Sequence, residues 1–144
     1  MIESILATPI ADYNHASLPE QERVRATLRE ILPIDARLQG LFADAAVTTI
    51  PTHYEFERIV TPTLIITSQN DRFGTLAGSR IAGSRIPYAR LIVYPSGGHL
   101  WVGHQGELWA AIQEFLKGDA VDSNQRAARA YARPPLFQAT RERR

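Results

Sequence analysis

The chain has 144 residues, 44% hydrophobic and 22% charged, with a formal net charge of +1. That composition describes an ordinary globular chain of about one domain. It excludes a strongly basic nucleic-acid binder, and with no cysteine it also excludes a disulfide framework and thiolate chemistry.

The amino terminus, "MIESILATPIADYNH", has no basic stretch ahead of its short apolar run and reads as a poor signal peptide. No run approaches the roughly 20 apolar residues of a membrane-spanning helix. The expectation is a cytoplasmic protein that engages neither membrane nor nucleic acid. Ser17 and Glu20 have the S-x-x-E spacing of a capping box. Val24, Leu28, Ile31 and Leu32 then recur at helical spacing, and Pro33 ends that helix. Asp35 can cap a second helix bearing Leu38, Leu41, Phe42 and Ala45 on one face. "VTTIPTHYEFERIV" has no period and reads as a connection.

The character changes at "TPTLIITS", residues 61–68. Leu64, Ile65 and Ile66 follow one another without alternation, the pattern of a strand buried on both faces of a parallel sheet. "QNDRFG" is a turn, and "TLAGSRIAGSRI", with its tandem AGSRI, is assigned to helix despite Gly78 and Gly83. "RLIVY", residues 90–94, is a second buried-type strand. A last helix spans 105–117 with Leu108, Ile112, Phe115 and Leu116 on its apolar face and Gly118 as its stop. The order βαβα calls for two parallel strands joined by a helical crossover. The fold class is α/β, in three segments: helical 1–58, βαβα 59–118, and a tail, 119–144, expected to be disordered. Six of the fifteen arginines lie in that tail, against Asp119, Asp122 and Glu142.

Sites in open α/β sheets form beyond the carboxyl ends of strands. Asp71 lies three residues past the first strand and His99 five past the second. Neighbouring strands are about 4.8 Å apart, so the carboxylate and the imidazole can come within hydrogen-bonding reach. An Asp that fixes the tautomer of a His is the supporting half of a nucleophilic triad. Gly97 and Gly98 let the chain turn sharply into His99. Several bland readings accompany these. Ser68 and Ser96 are loop serines without an elbow signal. His104 is five residues from His99, not the four that place two imidazoles on one helical face, so no metal is expected. "GSRIAGSR" lacks the Lys of a phosphate loop, and Trp101 and Trp109 are assigned to core packing.

Residues 28–116 resemble the carboxyl-terminal part of an α/β-hydrolase. "ERIVTPTLIITSQNDRFGT" is similar to that family's strand-and-acid segment, and "IPYARLIVYPSGGHLWVGHQ" to its strand-and-histidine segment. "ILPIDARLQGLFADA" is similar to the end of the cap that covers such sites. The resemblance implies Asp71 as the triad acid, His99 as the triad base, ester or related bonds in a small molecule as the substrate class, and no cofactor. The family nucleophile stands in G-x-S-x-G. The only glycines four apart here are Gly74 and Gly78, with Leu76 between them. The expected partner is therefore a nucleophile-bearing hydrolase half. The alternative is a non-catalytic module that pairs with a partner or with its own copy through open sheet edges.

Overall fold

The computed structural model describes residues 1–49 and 53–131, with side chains described for 1–47 and 53–118. Two compact units are distinguished, Met1–Trp109 and Ala110–Arg144. The first unit holds two parallel strands. β1 (Thr63–Ser68) pairs with β2 (Ala89–Tyr94) in unbroken register from Thr63 opposite Ala89 to Ser68 opposite Tyr94.

Helix α5 (Thr75–Arg85) makes the crossover and packs on both strands. Gly83 lets it approach closely, since a Cβ there would stand 3.2 Å from the Leu91 Cβ. Gly78 has open space instead, so only one of the two tandem glycines serves packing. Arg85 closes the crossover by gripping Glu57 with two hydrogen bonds of 2.6 and 3.1 Å. The strands are less buried than their apolar runs led us to expect. Leu64, Ile65, Ile66, Leu91, Ile92 and Val93 are all half-buried, and full burial begins only at Thr67, Ser68 and Tyr94, at the carboxyl ends. In a parallel sheet the faces are buried by packed helices, and here α5 is the helix that packs on both strands.

What covers those carboxyl ends is the amino-terminal segment. It contains α1 (Ile2–Ile5), α2 (Ile10–His15) and α3 (Leu18–Ile31). Leu6, Val24 and Val102 form the buried core, with Ile2, Ile5, Tyr13, Leu28 and Leu100 packed around them. Core residues thus come from both the helical start and the loop after β2, so the helical segment is not a separate layer. α3 begins at Ser17 as its spacing predicts, but the box is not reciprocal. Ser17 Oγ donates to Glu20 Oε2 at 3.2 Å, while Glu20 Oε1 accepts the Gly103 N–H at 2.8 Å, across the fold.

A 3-10 turn (Ile34–Arg37), with Asp35 inside it, leads into α4 (Leu38–Thr49). The helix forms where the apolar spacing places it, yet Leu41 is 56% and Phe42 68% exposed. α6 (Gln105–Tyr131) starts as expected and runs through Gly118. A single glycine costs a helix only about 1 kcal/mol relative to Ala, so it does not enforce a stop. The segment 119–144, expected to be disordered, is helical as far as Tyr131, and 132–144 lie outside the described residues. No described helix is long and apolar enough to cross a membrane.

Candidate active site

The two loops that leave the carboxyl ends of β1 and β2 meet. His99 Nδ1 lies 2.9 Å from Asp71 Oδ2. The Asp71 side chain is 4% exposed and that of His99 is 41% exposed, so the carboxylate is sheltered and the ring opens outward. The turn after β1 aims the carboxylate. Asp71 Oδ1 accepts the Phe73 N–H at 2.9 Å, an Asx turn, and Gly74, at φ 70°, starts α5. Thr75, in the first turn of α5, donates from Oγ1 to Asp71 Oδ2 at 2.6 Å. Thr67 Oγ1 lies 3.0 Å from Thr75 Oγ1. Because the Thr75 proton goes to the carboxylate, Thr67 is the donor in that pair.

Electrostatics follow from this donor set. Burial by itself pushes the Asp71 carboxyl up. Hydrogen bonds from His99, Thr75 and the Phe73 amide outweigh burial and hold it below its ordinary range. An ionised Asp71 requires Nδ1 of His99 to carry the proton, which leaves the Nε2 lone pair as the base. Among the described residues Asp71 is the only hydrogen-bonding partner of the ring. Phe73 meets the ring edge-on with centroids 4.8 Å apart, and Trp101 stacks at 6.3 Å. Trp101 thus belongs to the site rather than to the core, and Trp109, expected in the core, is 55% exposed.

The Gly-Gly pair has a concrete geometry. Gly97 has φ 100° and Gly98 has φ 60°. A Cβ on Gly97 would fall 2.7 Å from the Val102 carbonyl oxygen, and one on Gly98 would fall 2.5 Å from the Thr8 Cα. Both glycines are therefore required twice, by dihedral and by space. Their N–H groups are already used, Gly97 by Asp12 Oδ2 at 2.8 Å and Gly98 by Asn70 Oδ1 at 3.0 Å. The next amides, of His99, Trp101 and Val102, are bonded to Ala7, Gly98 and Gly97 carbonyls. These five amides are therefore not spare donors for an oxyanion.

No described serine reaches His99. Ser68 is 1% exposed and donates to the Gly98 carbonyl at 2.7 Å, a structural bond. Ser96 Oγ stands 3.4 Å from His104 Nε2, and His104 Nδ1 stands 3.2 Å from Glu107 Oε2. That trio resembles a triad in composition only. His104 lies flat on Tyr94 with centroids 4.4 Å apart, and the Ser96 contact is long. Among the described residues no group of three His, Cys, Asp or Glu side chains is placed to hold a metal ion.

A cavity of about 800 Å³ borders the site through Phe73. Ile5, Ile31, Ile34, Leu41 and Phe73 give it an apolar lining, with Arg37 at its wall. Thr75, Thr67, Asn70 and Asp12 were not singled out by the sequence. Thr75 carries a readable signal, a hydroxyl four residues after the acid at a helix start. Asp12 carries none, because its partners are 58 and 85 residues away. Compared with known proteins, the chain matches no family model, no curated protein and no solved structure.

Proposed function

We propose that this chain is the acid-and-histidine half of a serine hydrolase of the α/β-hydrolase kind. The observation that carries the reading is the Asp71–His99 contact at 2.9 Å, with a sheltered carboxylate and an outward-facing ring. It stands at the carboxyl ends of two parallel strands, with the acid preceding the histidine in the chain. The nucleophilic serine comes from a polypeptide segment outside these 144 residues. His99 Nε2 takes the serine proton as Oγ bonds to the ester carbonyl carbon, then gives it to the departing alkoxide. Water repeats the cycle on the acyl-enzyme, and Asp71 stabilises the imidazolium each time. The oxyanion donors come with the serine, since the amides of Gly97, Gly98, His99, Trp101 and Val102 are engaged. The apolar cavity beside Phe73 holds the apolar part of a small ester.

The test is co-expression with a hydrolase half that carries G-x-S-x-G, followed by p-nitrophenyl ester turnover. The expected result is turnover absent from either half alone, reduced at least about 100-fold by His99→Ala. No gain on mixing, or a gain that survives His99→Ala, overturns the proposal.

A second reading is favoured by different observations, the exposure of Leu41 and Phe42 on α4 and the half-burial of the strands. In that reading the chain is a non-catalytic module that associates through its apolar surface and open strand edges. Light scattering that shows a monomer stable to dilution contradicts it.

A further inference from the structure

The Asp71–His99 pair is held by groups that proton transfer itself does not use. A loop with two consecutive glycines in the left-handed region is conformationally free unless something ties it down. The consecutive amides of Gly97, Gly98 and His99 are each tied, and these three ties lead to the first twelve residues or to Asn70. Asp12 Oδ2, on α2, accepts from Asn70 Nδ2 at 2.7 Å and from the Gly97 N–H at 2.8 Å. Asn70 Oδ1 accepts the Gly98 N–H at 3.0 Å. One side-chain amide therefore joins the loop after β1 to the loop after β2, and one carboxylate oxygen anchors both to α2. The Ala7 carbonyl accepts the Arg72 N–H at 3.1 Å and the His99 N–H at 3.3 Å. It thus fixes the backbone beside Asp71 and the backbone of His99 against a single atom. Ala7 itself is 1% exposed and holds φ 45°, a non-glycine residue in the left-handed region. Such a conformation persists where surrounding structure over-determines it.

We infer that Asp12 and Asn70 are positioning residues of the Asp71–His99 pair, and that the segment Ala7–Asp12 is a clasp setting the separation and tautomer of the two catalytic-type side chains. This rests on the reading of that pair as the working one. An error of about 1 Å in such a pair costs about 100-fold in rate, so a dedicated clasp has a function to serve. Ser68 adds a bond from beneath, donating to the Gly98 carbonyl at 2.7 Å.

The experiment is ¹⁵N-resolved imidazole spectroscopy of the full chain, with circular dichroism as the check of folding. In the wild type His99 is the Nδ1–H tautomer. In Asp12→Ala and Asn70→Ala the ratio of Nδ1–H to Nε2–H falls at least tenfold. Asp12→Asn keeps the wild-type ratio, because its amide oxygen can take the place of Oδ2 and accept the same two bonds. An unchanged ratio in both alanine variants overturns the inference, as does an Asp12→Asn variant that behaves like Asp12→Ala. Should the alanine variants fail to fold, amide exchange of the wild type decides. The Gly97, Gly98 and His99 amides are expected to exchange at least 100-fold more slowly than unstructured amides, and exchange at unstructured rates overturns the clasp. None of these readouts uses ester turnover, so a failed hydrolysis assay and a failed clasp are told apart.

Discussion

Gly98 and Gly103 both adopt positive φ, 60° and 86°, but only Gly98 is crowded. A Cβ on Gly98 meets the Thr8 backbone, while one on Gly103 meets nothing within 4 Å. Gly98→Ala combines left-handed strain with overpacking and is expected to cost about 2–4 kcal/mol. Gly103→Ala carries the strain alone, about 1–2 kcal/mol. Urea unfolding of both variants checks the order, and equal losses contradict the account. Asp71 offers a second test at this scale. Its carboxyl is held below the ordinary range in the folded chain, so the folded state binds the proton less well than the unfolded state. The associated stability is fully present above the unfolded value, about pH 3.9, and is lost as the pH falls toward the lower folded value. The stability gap between wild type and Asp71→Asn therefore narrows on acidification below about pH 4. A gap independent of pH down to about 2 contradicts it. Asp71 and His99 were legible because each follows a recognisable strand and because a Gly-Gly pair is unusual there. Asn70 and Asp12 were not, because an Asn or Asp in isolation reads as a turn former, and hydrogen bonds spanning most of the chain leave no local pattern.

Elements were more legible than their contacts. α3 shows why. Its capping serine and apolar spacing are local signals, and its start matches them. Its use as a brace is not local. Arg23 donates to the Leu100 carbonyl at 3.1 Å and Glu20 accepts the Gly103 N–H at 2.8 Å, so one face of this helix holds the loop that carries His99. Glu20→Ala is expected to cost about 0.5–1.5 kcal/mol in thermal or urea unfolding, with Glu20→Gln near wild type because the amide oxygen still accepts. A Glu20→Gln loss equal to that of Glu20→Ala contradicts the hydrogen-bond assignment. α4 is the converse case, a helix whose apolar spacing is plain and whose apolar residues are exposed. Spacing predicts that a helix has an apolar face, and it does not supply what covers that face. The strands follow the same logic. Uninterrupted Leu-Ile-Ile marked β1, whereas its partial burial depends on what packs on the faces of the sheet.

At the scale of the molecule, structure concentrates at one end of the sheet. Thr67, Ser68, Tyr94, Gly97 and Gly98 are buried together beneath Leu6, Ala7 and Thr8, and the paired side chains stand there. Elsewhere the strands stay half-buried. This polarity fits the proposed reading, in which a histidine base at the strand ends serves a nucleophile supplied by another segment. The most direct measurement is labelling by a fluorophosphonate of a G-x-S-x-G partner half mixed with this chain, with the modified residue located by mass spectrometry. The account predicts modification of the partner's elbow serine, accelerated at least about 100-fold by the wild-type chain and not by His99→Ala. Equal labelling with wild type and His99→Ala, or label on Ser68 or Ser96 of this chain, would contradict it.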